Sequence, residues 1–109
     1  MAFHQIQRIR VDRTQIPSGG VVRIECDVVD SNGAAVTPGT TKQVRIYNPD
    51  GDEVASSPFT MTADSTGKLS YNYTTLTTLR AGWYHLLVQT NDGTHPQEEP
   101  LAYAFETTG

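Results

Sequence analysis

In the run "VVRIECDVV", residues 21–29, apolar and polar side chains alternate. Val22, Ile24, Cys26 and Val28 share one parity, and Arg23, Glu25 and Asp27 share the other. Successive side chains of an extended chain point to opposite faces, so a period of two gives one dry face and one wet face. A helix would scatter the same four apolar residues around its axis. The run is therefore a strand, and its dry face needs a second apolar layer to cover it.

The pattern recurs along the chain. Further runs are "QIQRIRVDR" (5–13), "TKQVRIYN" (41–48), "EVASSPFTMTA" (53–63), "KLSYNYTT" (68–75), "WYHLLVQT" (83–90) and "PLAYAFET" (100–107). Between them lie "TQIPSGG", "DSNG", "NPDGD", "DSTG" and "LTTLRAG". In such segments proline presets one torsion and glycine accepts a positive φ, so these segments are expected to turn or connect the chain. In the first run Ile6 has the opposite parity to Ile9 and Val11, which predicts a kink between them. Pro58 has no N–H, so the fourth run is broken or lies at a sheet edge. Leu69, Tyr71 and Tyr73 are expected on one face of the fifth run, and Leu101, Tyr103 and Phe105 on one face of the last. About seven short strands with one dry side each predict an all-β sandwich over residues 1–109 as a single domain. The first, second, fourth and fifth runs are expected in one sheet. The third, sixth and seventh are expected in the other.

The core can be built from apolar packing alone, because a chain of this size buries roughly two-thirds of its unfolded surface. Cys26 is the lone cysteine, so no intrachain disulfide can form, and its place in the apolar row predicts a buried, unpaired thiol. Eight Lys and Arg against twelve Asp and Glu give a net charge of −4, which argues against a nucleic-acid partner. No apolar run approaches the roughly 18 residues that span a bilayer. The opening "MAFHQIQRIR" lacks the apolar stretch of a secretory leader, so none is expected.

The segment "IPSGGVVRIECDVVDSNGAAVTPG" resembles the opening of bacterial immunoglobulin-like domains of the invasin and intimin type. "YNPDGDEV", "TADSTGKLSYNY" and "AGWYHLLVQT" look like the macroglobulin-type variant, and the likeness covers roughly residues 10–90. It implies an immunoglobulin-like β-sandwich of about seven antiparallel strands with a non-catalytic structural or interaction role. The sequence departs from antibody-type domains, since Leu86 stands where a second bridging cysteine would be and the third run lacks tryptophan. The expected setting is a bacteriophage virion, with the chain as a decoration, neck or tail component made in the host cytoplasm. The alternative is a binding or spacer module of a larger adhesin on the bacterial surface. Partners would be proteins of the assembly, such as capsid or tail proteins, and a homo-oligomer is compatible with this reading.

No Ser/His/Asp grouping, phosphate-cradling glycine loop or zinc spacing can be assembled from His4, His85, His95 and the serines, so no enzyme activity and no cofactor are expected. The turns gather Asp30, Asn32, Asp64, Asn91 and Asp92 at one end of the sandwich, a set with oxygen donors for calcium. These residues are equally the ordinary cappers of tight turns, and no metal is expected.

Two parities of the sixth run are open. In one, Tyr84, Leu86 and Val88 point inward and Trp83, His85 and Leu87 outward; in the other, Trp83 and Leu87 are core. The outward arrangement joins Trp83, His85 and Leu87 to Tyr47 and Arg45 of the third run and to Ala102 and Ala104 of the last. Aromatic and Arg residues on a small-residue background are what buried interfaces favour, so this face is the candidate protein contact. The opposite face, with Arg8, Arg10, Arg23, Glu25, Asp27, Lys68, Ser70 and Asn72, is expected to be a solvated charged surface.

Overall fold

The computed structural model describes residues 4–75 and 81–108, which form β-strands in two sheets and no helix. The two chain ends and most of the "LTTLRAG" connection lie outside the described residues. One sheet has the order β1 (His4–Val11), β3 (Val21–Asp30), β7 (Lys68–Thr74) and β6 (Thr62–Ser65). The other has the order β2 (Gln15–Ile16), β9 (Pro96–Thr107), β8 (Gly82–Asn91), β4 (Thr41–Tyr47) and β5 (Phe59–Thr60). The division of the runs between sheets is the expected one, with two corrections.

The fourth run is broken, as its proline predicts, but its two pieces fall in different sheets. Phe59 pairs with Val44 in one sheet, while Thr62 and Ala63 pair with Ser70 and Leu69 in the other. Met61 lies buried at the crossing, and its N–H donates to the Lys42 carbonyl at 2.8 Å. The segment "TQIPSGG", expected only to turn, contains the short strand β2. It runs parallel to β9 and pairs Gln15 with Glu106 and Ile16 with Thr107. Two residues are too few for alternation to show, yet Ile16 is fully buried. The turn itself is confined to Pro17–Gly20 and closed by a 2.9 Å bond from the Gly20 N–H to the Pro17 carbonyl.

The kink in the first run is a β-bulge. Gln7 pairs with Asp27 and Arg10 with Glu25, so β1 spends one residue more than β3 over this stretch. Arg8 takes it up at φ 54°. The core joins Val22, Ile24, Cys26 and Val28 of β3 and Leu69 and Tyr73 of β7 to Val44 and Ile46 of β4 and Tyr84, Leu86 and Val88 of β8. Phe105 of β9 stacks on Tyr84 with ring centroids 5.2 Å apart. Each large apolar side chain buried in this way contributes about 1.5–3 kcal/mol.

The "DSNG" turn serves the fold. Asp30 Oδ1 accepts the N–H groups of Asn32 and Ala34, and Gly33 takes φ 83°. The returning chain then packs on the β6–β7 turn, where Thr37 Oγ1 accepts the Gly67 N–H at 2.9 Å. Gly67 sits at φ 73°, and a Cβ there would stand 2.6 Å from the Val28 carbonyl oxygen.

On its outer edge β9 is paired with β2 only at Glu106 and Thr107. No second strand among the described residues pairs with 96–105, a stretch that carries Pro96 and Pro100.

Candidate interaction face

Strand β8 lies between β4 and β9, so its outward side chains form the middle of that sheet's outer face. Tyr84, Leu86, Val88 and Thr90 are buried, which turns Trp83, His85, Leu87 and Gln89 outward. Cross-strand pairing sets Tyr47 beside His85 and Arg45 beside Leu87. The structure therefore brings Tyr47, Trp83, His85 and Leu87 together, with Trp83 37% exposed and the other three half-buried. Ala102 is exposed nearby.

Two expectations for β9 are corrected. Ala104, placed on this face from sequence, is only 5% exposed and belongs to the core. Tyr103, placed inward, is 67% exposed. The cause is a break in register between the pairs Tyr84–Phe105 and Leu86–Leu101, where Ala102, Tyr103 and Ala104 stand opposite His85 alone. Tyr103 adopts φ 55°, a left-handed conformation that is rare for an aromatic residue. Its backbone N–H donates to His85 Nδ1 at 2.9 Å. Its ring meets His85 edge-on at 4.8 Å and Trp83 edge-on at 6.3 Å, the favoured geometry for aromatic pairs. Tyr103 is thus the central residue of the aromatic group. Nothing in "LAYAF" marks it from sequence, because Leu101, Tyr103 and Phe105 fit an unbroken strand.

The charge at the edge of this face is internally matched. Arg45 donates to Gln89 Oε1 at 2.8 Å and pairs with Glu53 at 3.0 Å. Glu53 also accepts the Ser57 hydroxyl, and that bond, with Arg45 behind it, holds the carboxyl below its usual range. What this face leaves exposed is aromatic surface, chiefly Tyr103 and Trp83.

The opposite sheet presents charge. Asp27 is surrounded by Lys68 Nζ at 3.1 Å and by Arg8 and Arg10, each at 3.3 Å. Burial works to raise its pKa, but the Lys68 hydrogen bond and the charges of Arg10 and Lys68 bring it below the ordinary value. Asp27 and Ser70, expected among the solvated residues, are only 5% and 3% exposed. Asp27 lies beneath the long basic side chains that neutralise it. Arg23 bridges Glu25 and Asp64, the latter at 2.8 Å.

The acids considered for calcium have other work. Asp30 caps its own turn, Asp64 pairs with Arg23, and Asn91 Oδ1 accepts the Gly93 N–H. Asp92 accepts the N–H groups of His95 and Thr94, which hold its carboxyl far below the usual range. Among the described residues no group of three or more His, Cys, Asp or Glu is placed to hold a metal ion. His4 ties the start of β1 to this loop, with Nε2 2.7 Å from Thr90 Oγ1 and Nδ1 3.7 Å from Asp92.

The sequence matches no protein-family model and no curated protein. Solved structures do match. A filamin domain of Lin-41 aligns with a TM-score of 0.54 at 18% identity, covering 97% of this chain and 83% of that one. A chain from the complex of titin M10 with a mutant obscurin-like 1 Ig domain aligns with a TM-score of 0.55 at 14% identity, covering 100% and 99%. At these identities the likeness is one of fold, and it agrees with the sheet order described above: the chain is an immunoglobulin-like β-sandwich.

Proposed function

We propose that this chain is a non-catalytic interaction subunit that docks onto a protein partner through the outer face of β4, β8 and β9. The observation that supports it most is the aromatic group of Trp83, Tyr103 and His85, offered at the surface by a backbone conformation that a simple sandwich does not need. Burying a partly exposed tryptophan against a partner returns roughly 2 kcal/mol, as interface hot spots do. A bacteriophage virion is the assembly we propose for it, on the strength of the sequence likeness to bacterial immunoglobulin-like domains. The same likeness supports an adhesin module as the second reading.

A photo-reactive residue placed at Leu87, compared with one placed at Asn72 on the charged sheet, tests the face. Adducts with a discrete protein partner from the Leu87 position alone are the expected result. Adducts from the Asn72 position alone would move the contact to the other sheet. Native mass of the particle separates the settings: a virion component is recovered at fixed stoichiometry with particle proteins, an adhesin module is not.

A further inference from the structure

Tyr103 is held in place by an acceptor that a single proton can abolish. Its backbone N–H donates to His85 Nδ1 at 2.9 Å, so Nδ1 carries no hydrogen and the imidazole is neutral, protonated on Nε2. The imidazolium form has an N–H on both ring nitrogens and no acceptor on either. No rotation of the charged ring restores the bond. Protonation therefore sets two N–H groups against each other and leaves the Tyr103 amide without its partner, at a residue whose φ of 55° needs support from its surroundings. The ring contacts at 4.8 Å and 6.3 Å depend on that same backbone position.

The surroundings do not take over the task. From β4, His85 faces Tyr47, with Arg45 one pair along and already bound to Gln89 and Glu53. From β9 it faces Tyr103, with Glu106 opposite Trp83. On its own strand its neighbours on the same face are Trp83 and Leu87, both uncharged.

We infer that His85 is a positioning residue that couples the docking face to pH: neutral His85 holds Tyr103 out against Trp83, and protonated His85 releases it. This rests on the reading of the face as an interaction surface, but it is tested on the isolated chain. Amide and ring resonances are followed by NMR between about pH 5 and 8, the range in which imidazoles change charge, together with Trp83 fluorescence. The Tyr103 amide and the Trp83 emission are expected to move in one transition that shares the midpoint of the His85 ring. His85→Asn supplies a side-chain oxygen acceptor near the Nδ1 position and does not titrate, so the variant is expected to keep the neutral-form signals throughout. His85→Phe has no acceptor and is expected to show the acid-form Tyr103 signal at every pH.

A Tyr103 amide that stays fixed while the His85 ring titrates overturns the coupling. So does a transition that survives in His85→Asn, which would belong to His4 or His95. Failure of the docking reading looks different, because the titration would be present and the Leu87 cross-link absent. If the cross-link forms equally on both sides of the transition followed by NMR, docking stands and the coupling to pH is overturned.

Discussion

Lys68 Nζ stands 3.1 Å from Asp27 Oδ1, joining β7 to β3 on the outer face of the four-stranded sheet. Asp27 is buried there under Lys68, Arg8 and Arg10, so removing its charge leaves three cations gathered around a neutral group.

Asp27→Asn should therefore destabilise the protein at pH 7 by about 1–3 kcal/mol, the range for losing hydrogen bonds to a charged group. The folded carboxyl titrates below its unfolded value of about 3.9, so its contribution is complete above that pH and is lost as pH falls through the lower folded value. Urea melts of both proteins at pH 7 and again near the folded pKa check this. The gap between them should be wide at pH 7 and should narrow with acid.

Cys26 should resist thiol reagents in the native state. It is fully buried in the β3 row, and burial, with the Asp27 charge adding to it, pushes its thiol up to about 12. The thiolate is the reactive form, so labelling near pH 8 should proceed only as fast as the protein opens. Rapid labelling without denaturant would place the thiol elsewhere.

Gly67→Ala should cost about 1–3 kcal/mol, the usual range for a strained backbone position. Glycine is required there twice over, by φ 73° and by the Val28 carbonyl 2.6 Å from where a Cβ would sit. Gly33→Ala is the control: its φ of 83° is similar, but nothing lies within 4 Å of its Cβ position. The difference between the two melting temperatures isolates the contact from the torsion.

Adjacent residues of β8 should behave in opposite ways. Tyr84 is fully buried against Phe105, and Tyr84→Ala should cost about 3–5 kcal/mol, as large aromatic truncations in cores do. Trp83→Ala should leave the melting temperature within about 4 °C of the parent, a shift worth roughly 1 kcal/mol in a chain of this size. It should abolish the Leu87 cross-link. If Trp83→Ala unfolds the protein instead, its ring is bearing core weight.

The two bulges show which irregularities a sequence can carry in plain sight. At Arg8 the bulged strand holds one extra residue, an odd number, so the dry face changes parity and Ile6 disagrees with Ile9 and Val11. At Tyr103 the strand holds three residues against one, two extra, and an even insertion leaves Leu101 and Phe105 in phase. The alternation thus reads through the second bulge as if it were absent. Ala104 is drawn into the core and Tyr103 released, with no glycine or asparagine to announce the left-handed residue. The strand pattern and the buried Cys26 row were legible because each repeats at period two over several residues, whereas the facing of the Trp83–His85–Leu87 row was left open by the sequence, since both parities of that run carry apolar side chains. The pairing at β2 and the crossing at Met61 each involve one or two residues, too short a stretch to have a period.

The prolines of β9 decide how a neighbour can approach. A proline fits within a strand only where its missing N–H faces away from the ladder partner. Pro96 and Pro100 have the same parity, so the long outer margin of β9 lacks donors at two evenly spaced positions. A foreign strand aligned along that margin would find gaps in its hydrogen bonding, the means by which natural sheets discourage polymerisation.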